Sequence, residues 1–212
     1  SISVTPSPVK PATRYYFALL AFASGMGMSV TIVTVQSIMA TSPLGARRTL
    51  ASLPRWKVLT STLAASWVCV LACLIIAFAF ITTVIGVDFG PHVLLCLVAI
   101  GVASLMSSAA GAALGAFGKM GVGMVSAITC LLSLFTGLYG TGAQALADSV
   151  ERSAPLLAQL NPLWQASRCF YKLLYYDSLA PFARSCAVLL VMTCLFLTIA
   201  LIRARRMNHE HL

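Results

Sequence analysis

Apolar residues fill five long stretches of this chain, and polar residues gather in the segments between them. The stretches cover residues 15–40, 58–85, 92–117, 120–138 and 182–202. A bilayer core is about 30 Å thick, and about 20 helical residues are needed to cross it. The pattern therefore predicts five membrane-spanning helices joined by short connections.

The composition supports a membrane protein. Of the 212 residues, 59% are hydrophobic and only 9% are charged, whereas a soluble domain carries about 25% charged residues. Too few charges remain to cover a surface that faces water. We therefore predict an all-α polytopic bundle over residues 15–206, with an extracellular tether at 1–14 and a cytoplasmic tail at 207–212.

A basic segment separates the first two predicted spans, and we call residues 42–57 the elbow. Its cationic side chains are Arg47, Arg48, Arg55 and Lys57. Leu50 and Leu53, with an alanine one turn earlier, share one face at helical spacing. The elbow is therefore predicted to be an amphipathic helix at the inner membrane surface. The alternative is a loop held by anionic lipid.

The distribution of charge predicts the orientation of the chain. If the elbow is cytoplasmic, the inner segments hold eight basic residues and one acid, and the outer segments hold six basic residues and four acids. Cytoplasmic loops carry the excess of Lys and Arg in membrane proteins. We therefore expect the N-terminus outside and the C-terminus inside. The same reasoning explains the net charge of +9 without nucleic acid as a partner.

Small residues recur at every fourth position in the second half of the third span. They are Ala103, Ser107, Gly111 and Gly115, and we call them the seam. Helices in lipid associate by close approach of their backbones, which small residues permit. The seam is therefore predicted to pack against another helix, either as a fixed contact or as a surface that moves during transport.

An amphipathic pattern follows Asn161 and Pro162, in the predicted outer segment before the last span. Asn161 suits an N-cap, and proline suits the first helical position. Polar and aromatic side chains alternate with apolar ones at helical spacing, and they include Trp164, Arg168, Tyr171 and Lys172. This pattern predicts an interfacial helix at headgroup depth. The alternative is a segment that dips partway into the membrane.

Signals for catalytic, cofactor-binding or metal-binding chemistry are absent from the sequence. There is no HExxH, GxSxG, GxGxxG or CxxC motif, so we expect no enzyme activity, no cofactor and no metal. A disulfide between Cys169 and Cys186 is left open. The spans hold no Asp or Glu, which ion-coupled carriers usually need. If the protein moves a substrate, its energy is expected to come from another subunit.

The order of these parts resembles the membrane subunit of an ABC exporter of the type-2 permease class. A span ends in a basic amphipathic elbow, Ala46-Arg47-Arg48-Thr49-Leu50 through Leu53-Pro54-Arg55. A long span, a tight hairpin with small residues and an outer region follow. Asn161-Pro162-Leu163 is similar to the Asn-Pro step before the family's last span, and that span ends in a basic tail. The resemblance covers about residues 15–206.

The resemblance implies a function and partners. The elbow would be a coupling helix, in which Arg47, Arg48, Leu50, Leu53 and Arg55 dock on a separate ATPase subunit. A second permease half, identical or different, would complete the transporter in a lipid membrane. The substrate would be an amphipathic, lipidic, glycan, peptide or drug molecule. We expect a multi-pass protein of a bacterial cell membrane, with a further span upstream of Ser1.

Two other functions are consistent with the sequence. The chain could be a membrane subunit for anchoring or assembly that transports nothing, or it could be a secondary carrier, a channel or a membrane enzyme. Transport driven by an ion gradient without ATP would favour the carrier.

Overall fold

The computed structural model describes residues 11–38, 55–87, 89, 92–118, 120–175 and 179–206. Every regular element within these ranges is an α-helix, which confirms the predicted all-α bundle. The helices, numbered along the chain, are α1 (Pro11–Ser37), α2 (Arg55–Thr83), α3 (Val93–Gly115), α4 (Val122–Leu134), α5 (Thr141–Ser153), α6 (Pro155–Leu160), α7 (Pro162–Tyr175) and α8 (Ala180–Arg206).

Four of these helices are long and apolar enough to cross a membrane. They correspond to the first, second, third and fifth predicted spans, and their apolar portions are Thr13–Ser37, Lys57–Thr83, Val93–Gly115 and Ala180–Arg203. The spans in α1 and α3 are buried over more of their length than those in α2 and α8. Helices α1 and α3 therefore form the centre of the bundle.

The structure differs from the sequence prediction at the fourth span, residues 120–138. Helix α4 has 13 residues, so it rises about 20 Å, whereas the hydrocarbon core is about 30 Å thick. The helix stops at Phe135, and the following turn contains Gly137 and Gly140 with φ of 83° and 89°. Glycine adopts these left-handed angles without steric penalty. The apolar run is thus divided into a half-length helix and a turn.

Helix α1 packs against four other helices of the described part of the bundle. It contacts α3 most extensively, and it also contacts α2, α4 and α7. Helix α8 completes the bundle by packing against α3 and α7. Helix α1 is therefore in direct contact with four of the seven other described helices.

Aromatic side chains hold together the end of the bundle at which α1 begins. The Phe17 ring lies 5.5 Å from Phe89 and 5.7 Å from Phe170, and Phe78 lies 4.9 Å from Phe89, measured between ring centroids. Buried aromatic pairs at such distances contribute about 0.5–1.5 kcal/mol beyond their burial. These contacts join α1, α2, α7 and the α2–α3 connection at what we call the Arg14 end.

Candidate functional site

A polar cavity lies at the Arg14 end of the bundle. Its volume is about 460 Å³, and its walls come from the start of α1, the turn after α4, and helices α5 and α7. Five charged side chains line it: Arg14, Asp148, Glu151, Arg152 and Arg168. Five of the 19 Asp, Glu, Lys and Arg residues of the chain thus line this one cavity.

Two ion pairs attach helix α5 across this cavity. Arg14 Nη2 on α1 lies 2.6 Å from Asp148 Oδ1, and the Arg168 guanidinium on α7 pairs with the carboxylate of Glu151. Asp148 and Glu151 are three residues apart, so they lie on one face of α5. Apart from α6, helix α5 has few backbone contacts with the other described helices. The ion pairs are therefore a large part of what holds α5 in place.

The guanidinium of Arg168 is also enclosed by aromatic rings. Its Cζ atom lies 5.0 Å from the Trp164 ring centroid and 5.1 Å from the Tyr171 ring centroid. Cation–π contacts of this kind contribute about 0.5–2 kcal/mol each, depending on exposure. The two rings come from the preceding and following turns of α7. They restrict the side chain, so the cation is positioned toward Glu151.

Helix α7, which the sequence predicts to be interfacial, is largely covered by other helices. Gln165 is 3% exposed and Cys169 is 0% exposed, and the helix contacts α1, α3, α4 and α8. Side chains of its polar face meet other parts of the chain. Gln165 donates to the carbonyl of Gln159, Arg168 pairs with Glu151, and Lys172 Nζ donates to Ser185 Oγ at 2.8 Å. Whether α7 lies at headgroup depth stays a prediction.

Burial and neighbouring charge act together on Lys172. Removal from water lowers the pKa of its ammonium from the ordinary value, and the nearby Arg168 and Arg184 lower it further. The charged form is disfavoured because burial takes away water and the arginines repel it. The hydrogen bond to Ser185 therefore joins α7 to α8 at an electrostatic cost.

Asn161 caps α7 and also holds the end of α4. Its Oδ1 accepts hydrogen bonds from the backbone N–H groups of Leu163 and Trp164, at 3.0 and 3.3 Å. Its Nδ2 donates to the carbonyl of Leu132 at 2.8 Å. The predicted N-cap with proline at the first helical position is confirmed. The contact with α4 adds a tertiary role that the sequence does not reveal.

The seam lies in the interior of the bundle, and its glycines pack against α1. All four residues, Ala103, Ser107, Gly111 and Gly115, are buried. A Cβ atom built on Gly111 would lie 2.6 Å from the carbonyl oxygen of Met28, and one on Gly115 would lie 3.2 Å from Val35 Cβ. The backbones of α1 and α3 thus approach so closely that no side chain fits at Gly111. Whether the seam moves during transport stays a prediction.

The predicted docking residues of the elbow fall mostly outside the described residues. Arg47, Arg48, Leu50 and Leu53 lie in 39–54, which the structure does not describe, and Arg55 is the first residue of α2. The helix that enters the elbow is described. One residue before the end of α1, Gln36 Nε2 donates to the carbonyl of Met120 at 2.7 Å. This bond ties the elbow end of α1 to the turn between α3 and α4.

Comparison with known proteins decides the family. A family model described as ABC-2 family transporter protein matches residues 1–202. The chain belongs to the ABC-2 transporter family. It is therefore a multi-pass membrane permease subunit, of a family that works with an ATPase subunit. No curated protein and no solved structure matches it.

Sequence reasoning missed the contacts that build the cavity of this ABC-2 permease. Helix α5 was not predicted, although Gln144, Asp148 and Glu151 follow the i, i+4, i+7 spacing of one helical face. That spacing could have indicated a helix with an acidic face. Its partners could not be inferred, because Arg14 lies 134 residues before Asp148. Among the described residues, no group of three or more His, Cys, Asp or Glu could hold a metal ion.

Proposed function

We propose that this ABC-2 permease is the transmembrane subunit of an ATP-driven exporter, and that its elbow docks on a nucleotide-binding ATPase subunit. The observation that carries the proposal is the family match over residues 1–202. The fold adds a mechanical argument, because the elbow joins the C-terminal end of α1 to the N-terminal end of α2. A force on the elbow would therefore act on two spans at once.

Helix α1 supports the next step of the coupling. It contacts α2, α3, α4 and α7, and Gln36 bonds it to the turn that precedes α4. Closure of the ATPase subunits would push the elbow, and α1 would carry that displacement into the bundle. Packed helices respond to such forces by small sliding movements between discrete arrangements. The close contact of α1 with α3 at Gly111, where no side chain separates the two backbones, is where this sliding would occur.

The distribution of charge supports an external energy source. The only Lys and Arg residues within the four described apolar spans lie near their ends, and those spans contain no Asp or Glu. Ion-coupled carriers usually place ionisable groups or broken helices near mid-membrane. ATP hydrolysis on a partner subunit would supply the energy instead. The transported molecule would be amphipathic, lipidic, glycan, peptide or drug-like, as the apolar and small side chains of the bundle suggest.

The remaining parts of the proposal concern assembly and orientation. Two permease halves, identical or different, would pair in the cell membrane of a bacterium with two ATPase subunits. The C-terminus and the elbow would be cytoplasmic, and the Arg14 end with its cavity would lie outside. The excess of basic residues in the segments assigned to the inside supports this orientation.

The test is reversal of charge in the elbow. The double variant Arg47→Glu/Arg48→Glu should reduce the amount of ATPase subunit that purifies with the permease by about tenfold or more, which corresponds to about 1.4 kcal/mol. The matched control is Arg205→Glu/Arg206→Glu, which changes the charge equally at the C-terminal end. That control should retain the ATPase subunit.

Association and ATPase activity that survive in the elbow variant would refute docking at the elbow. Transport by reconstituted protein that follows an ion gradient and proceeds without ATP would refute the exporter itself. Maleimide labelling of Arg48→Cys only from the exterior would show that the orientation is reversed.

A further inference from the structure

Two cysteines lie in contact where α7 packs against α8. The sulfur atoms of Cys169 on α7 and Cys186 on α8 are 3.9 Å apart. Both residues are buried, at 0% and 8% exposure. All seven cysteines belong to the described residues, and no other two of them are in sulfur–sulfur contact. The pair is therefore distinct from the other five, four of which are exposed on the apolar helices.

Neighbouring contacts fix the register in which the two sulfurs face each other. Lys172, three residues after Cys169, donates to Ser185, the residue before Cys186. Leu173, Phe182 and Leu189 belong to the same buried cluster as the two cysteines. The Lys172–Ser185 contact thus holds the two helices together next to the sulfur contact. The sulfur atoms, 3.9 Å apart, must approach by about 1.9 Å to reach the S–S bond length of about 2.0 Å.

We propose that Cys169 and Cys186 form a disulfide that ties α7 to the last span. This inference rests on the proposed orientation, in which the α7–α8 turn faces the outside, because disulfides persist in oxidising extracytoplasmic compartments. The bond would close a loop around residues 170–185 and attach the segment that bears Arg168 to α8. The cavity wall formed by α7 would then be fixed covalently to a membrane span.

The reaction is a thiol–disulfide exchange with a thiol oxidase of the extracytoplasmic compartment. A thiolate of the pair attacks the oxidase disulfide and forms a mixed disulfide, and the second thiolate then displaces the oxidase. One S–S bond forms as the two permease thiols are oxidised, the S–S bond of the oxidase is reduced to two thiols, and the two protons of the permease thiols pass to the oxidase thiolates. The hydrogen bond to Cys186 and burial raise the pKa of the Cys169 thiol. Exchange would therefore occur during folding, before α7 is covered.

Disulfide mapping of the whole protein tests the proposal. Intact cells are treated with membrane-permeant N-ethylmaleimide before lysis, so that free thiols are blocked and cannot oxidise later. Trypsin cleavage after Arg168, Lys172 and Arg184 then places Cys169 in peptide 169–172 and Cys186 in peptide 185–203. The two peptides should be recovered joined, and a reductant should separate them.

Variants decide which cysteines are linked. Cys169→Ser and Cys186→Ser should each abolish the joined peptide. Cys194→Ser is the matched control, because Cys194 lies on the same tryptic peptide as Cys186 and is exposed on α8. That control should leave the link unchanged. Maleimide on both Cys169 and Cys186 in the unmodified protein, or a link through Cys194, would overturn the proposal.

Labelling of Arg48→Cys separates this inference from the proposed function. If Cys169 and Cys186 are free while residue 48 is reached only from the cytoplasm, the disulfide alone is refuted and the exporter orientation stands. If they are free and residue 48 is reached only from the exterior, both proposals fail together.

Discussion

The close approach of α1 and α3 makes Gly111→Ala the most direct test of the fold. The added Cβ would lie 2.6 Å from the carbonyl oxygen of Met28, 3.0 Å from Met28 Cα and 2.9 Å from Thr31 Cβ, whereas ordinary contact begins at 3.4 Å. Two of the three atoms belong to the backbone of α1, so no change of side-chain rotamer can remove the clash. The two helices must separate by about 0.8 Å to accommodate the methyl group.

The energetic consequence follows from the loss of dispersion. A gap of 0.5–1 Å forfeits about a quarter to a half of the attraction between facing atoms, each pair of which contributes about 0.1–0.2 kcal/mol. If the contact includes about 50 atom pairs, as around one buried leucine, separation costs about 2 kcal/mol. This value lies within the range of about 1–3 kcal/mol for overpacked cores.

Two other glycines of α3 provide the controls. Gly101→Ala raises the helix propensity of α3 by the same amount as Gly111→Ala. Its added Cβ, however, would meet nothing within 4 Å. Gly115→Ala would place its Cβ 3.2 Å from Val35 Cβ, which is only about 0.2 Å inside ordinary contact, against about 0.8 Å at Gly111. We expect stability to decrease in the order Gly101→Ala, Gly115→Ala, Gly111→Ala.

The assay is unfolding of the purified protein in mixed micelles, together with thermal denaturation. Gly111→Ala should be less stable than Gly101→Ala by about 2 kcal/mol, which for a chain of this size lowers Tm by about 4–8 °C. Equal stability of these two variants would show that α1 and α3 do not meet at Gly111, and the packing of the bundle centre would be wrong.

Three further predictions concern the Arg14 end. Asn161→Ala should destabilise the protein by about 2–4 kcal/mol in the same micelle assay, because α7 loses its cap and the carbonyl of Leu132 loses its donor. Asp148→Asn should change overall stability by less than about 1 kcal/mol, since its ion pair with Arg14 is partly exposed, but should accelerate amide hydrogen exchange in α5. Unchanged exchange there would argue against the ion pair. Because the pKa of Lys172 is lowered in the folded protein, the unfolded chain binds this proton more tightly. The free energy of unfolding should therefore rise with pH between the lowered pKa and about 10.4. This rise should be absent in Lys172→Met.

The amphipathic pattern after Asn161 shows where prediction from sequence stops. The spacing of Gln165, Arg168 and Lys172 correctly indicates a helix with a polar face. Headgroups, water and other side chains all satisfy such a face, so the pattern alone cannot say which of them is present. In the structure, Arg168 meets Glu151, and Lys172 meets Ser185. The polar side chains of such a face need hydrogen-bonding or charged partners, and the packing of the helices determines which partners they meet.

The length of α4 shows the same limit for apolar segments. Residues 120–138 are apolar enough for a span. Because hydropathy is an average over a whole window of residues, it does not show where within that window a helix ends. Helix α4 ends at Leu134, and the turn that follows has positive φ at Gly137 and Gly140, although glycine is also compatible with a helix. The backbone conformation of this segment, which composition does not encode, determines how much of the apolar run is helical.

The sequence by itself determined the helical membrane class, the positions of four long apolar helices, the run of small residues in α3 and the cap of α7. These features depend on composition and on spacing within one turn or one helix, where local physics is sufficient. Only the tertiary structure decided that Arg14 meets Asp148, that Gln36 holds Met120 and that Cys169 lies against Cys186. Such pairs depend on how entire helices pack. Each side chain has many chemically suitable partners in the sequence, and the packing of the helices brings only some of them within reach.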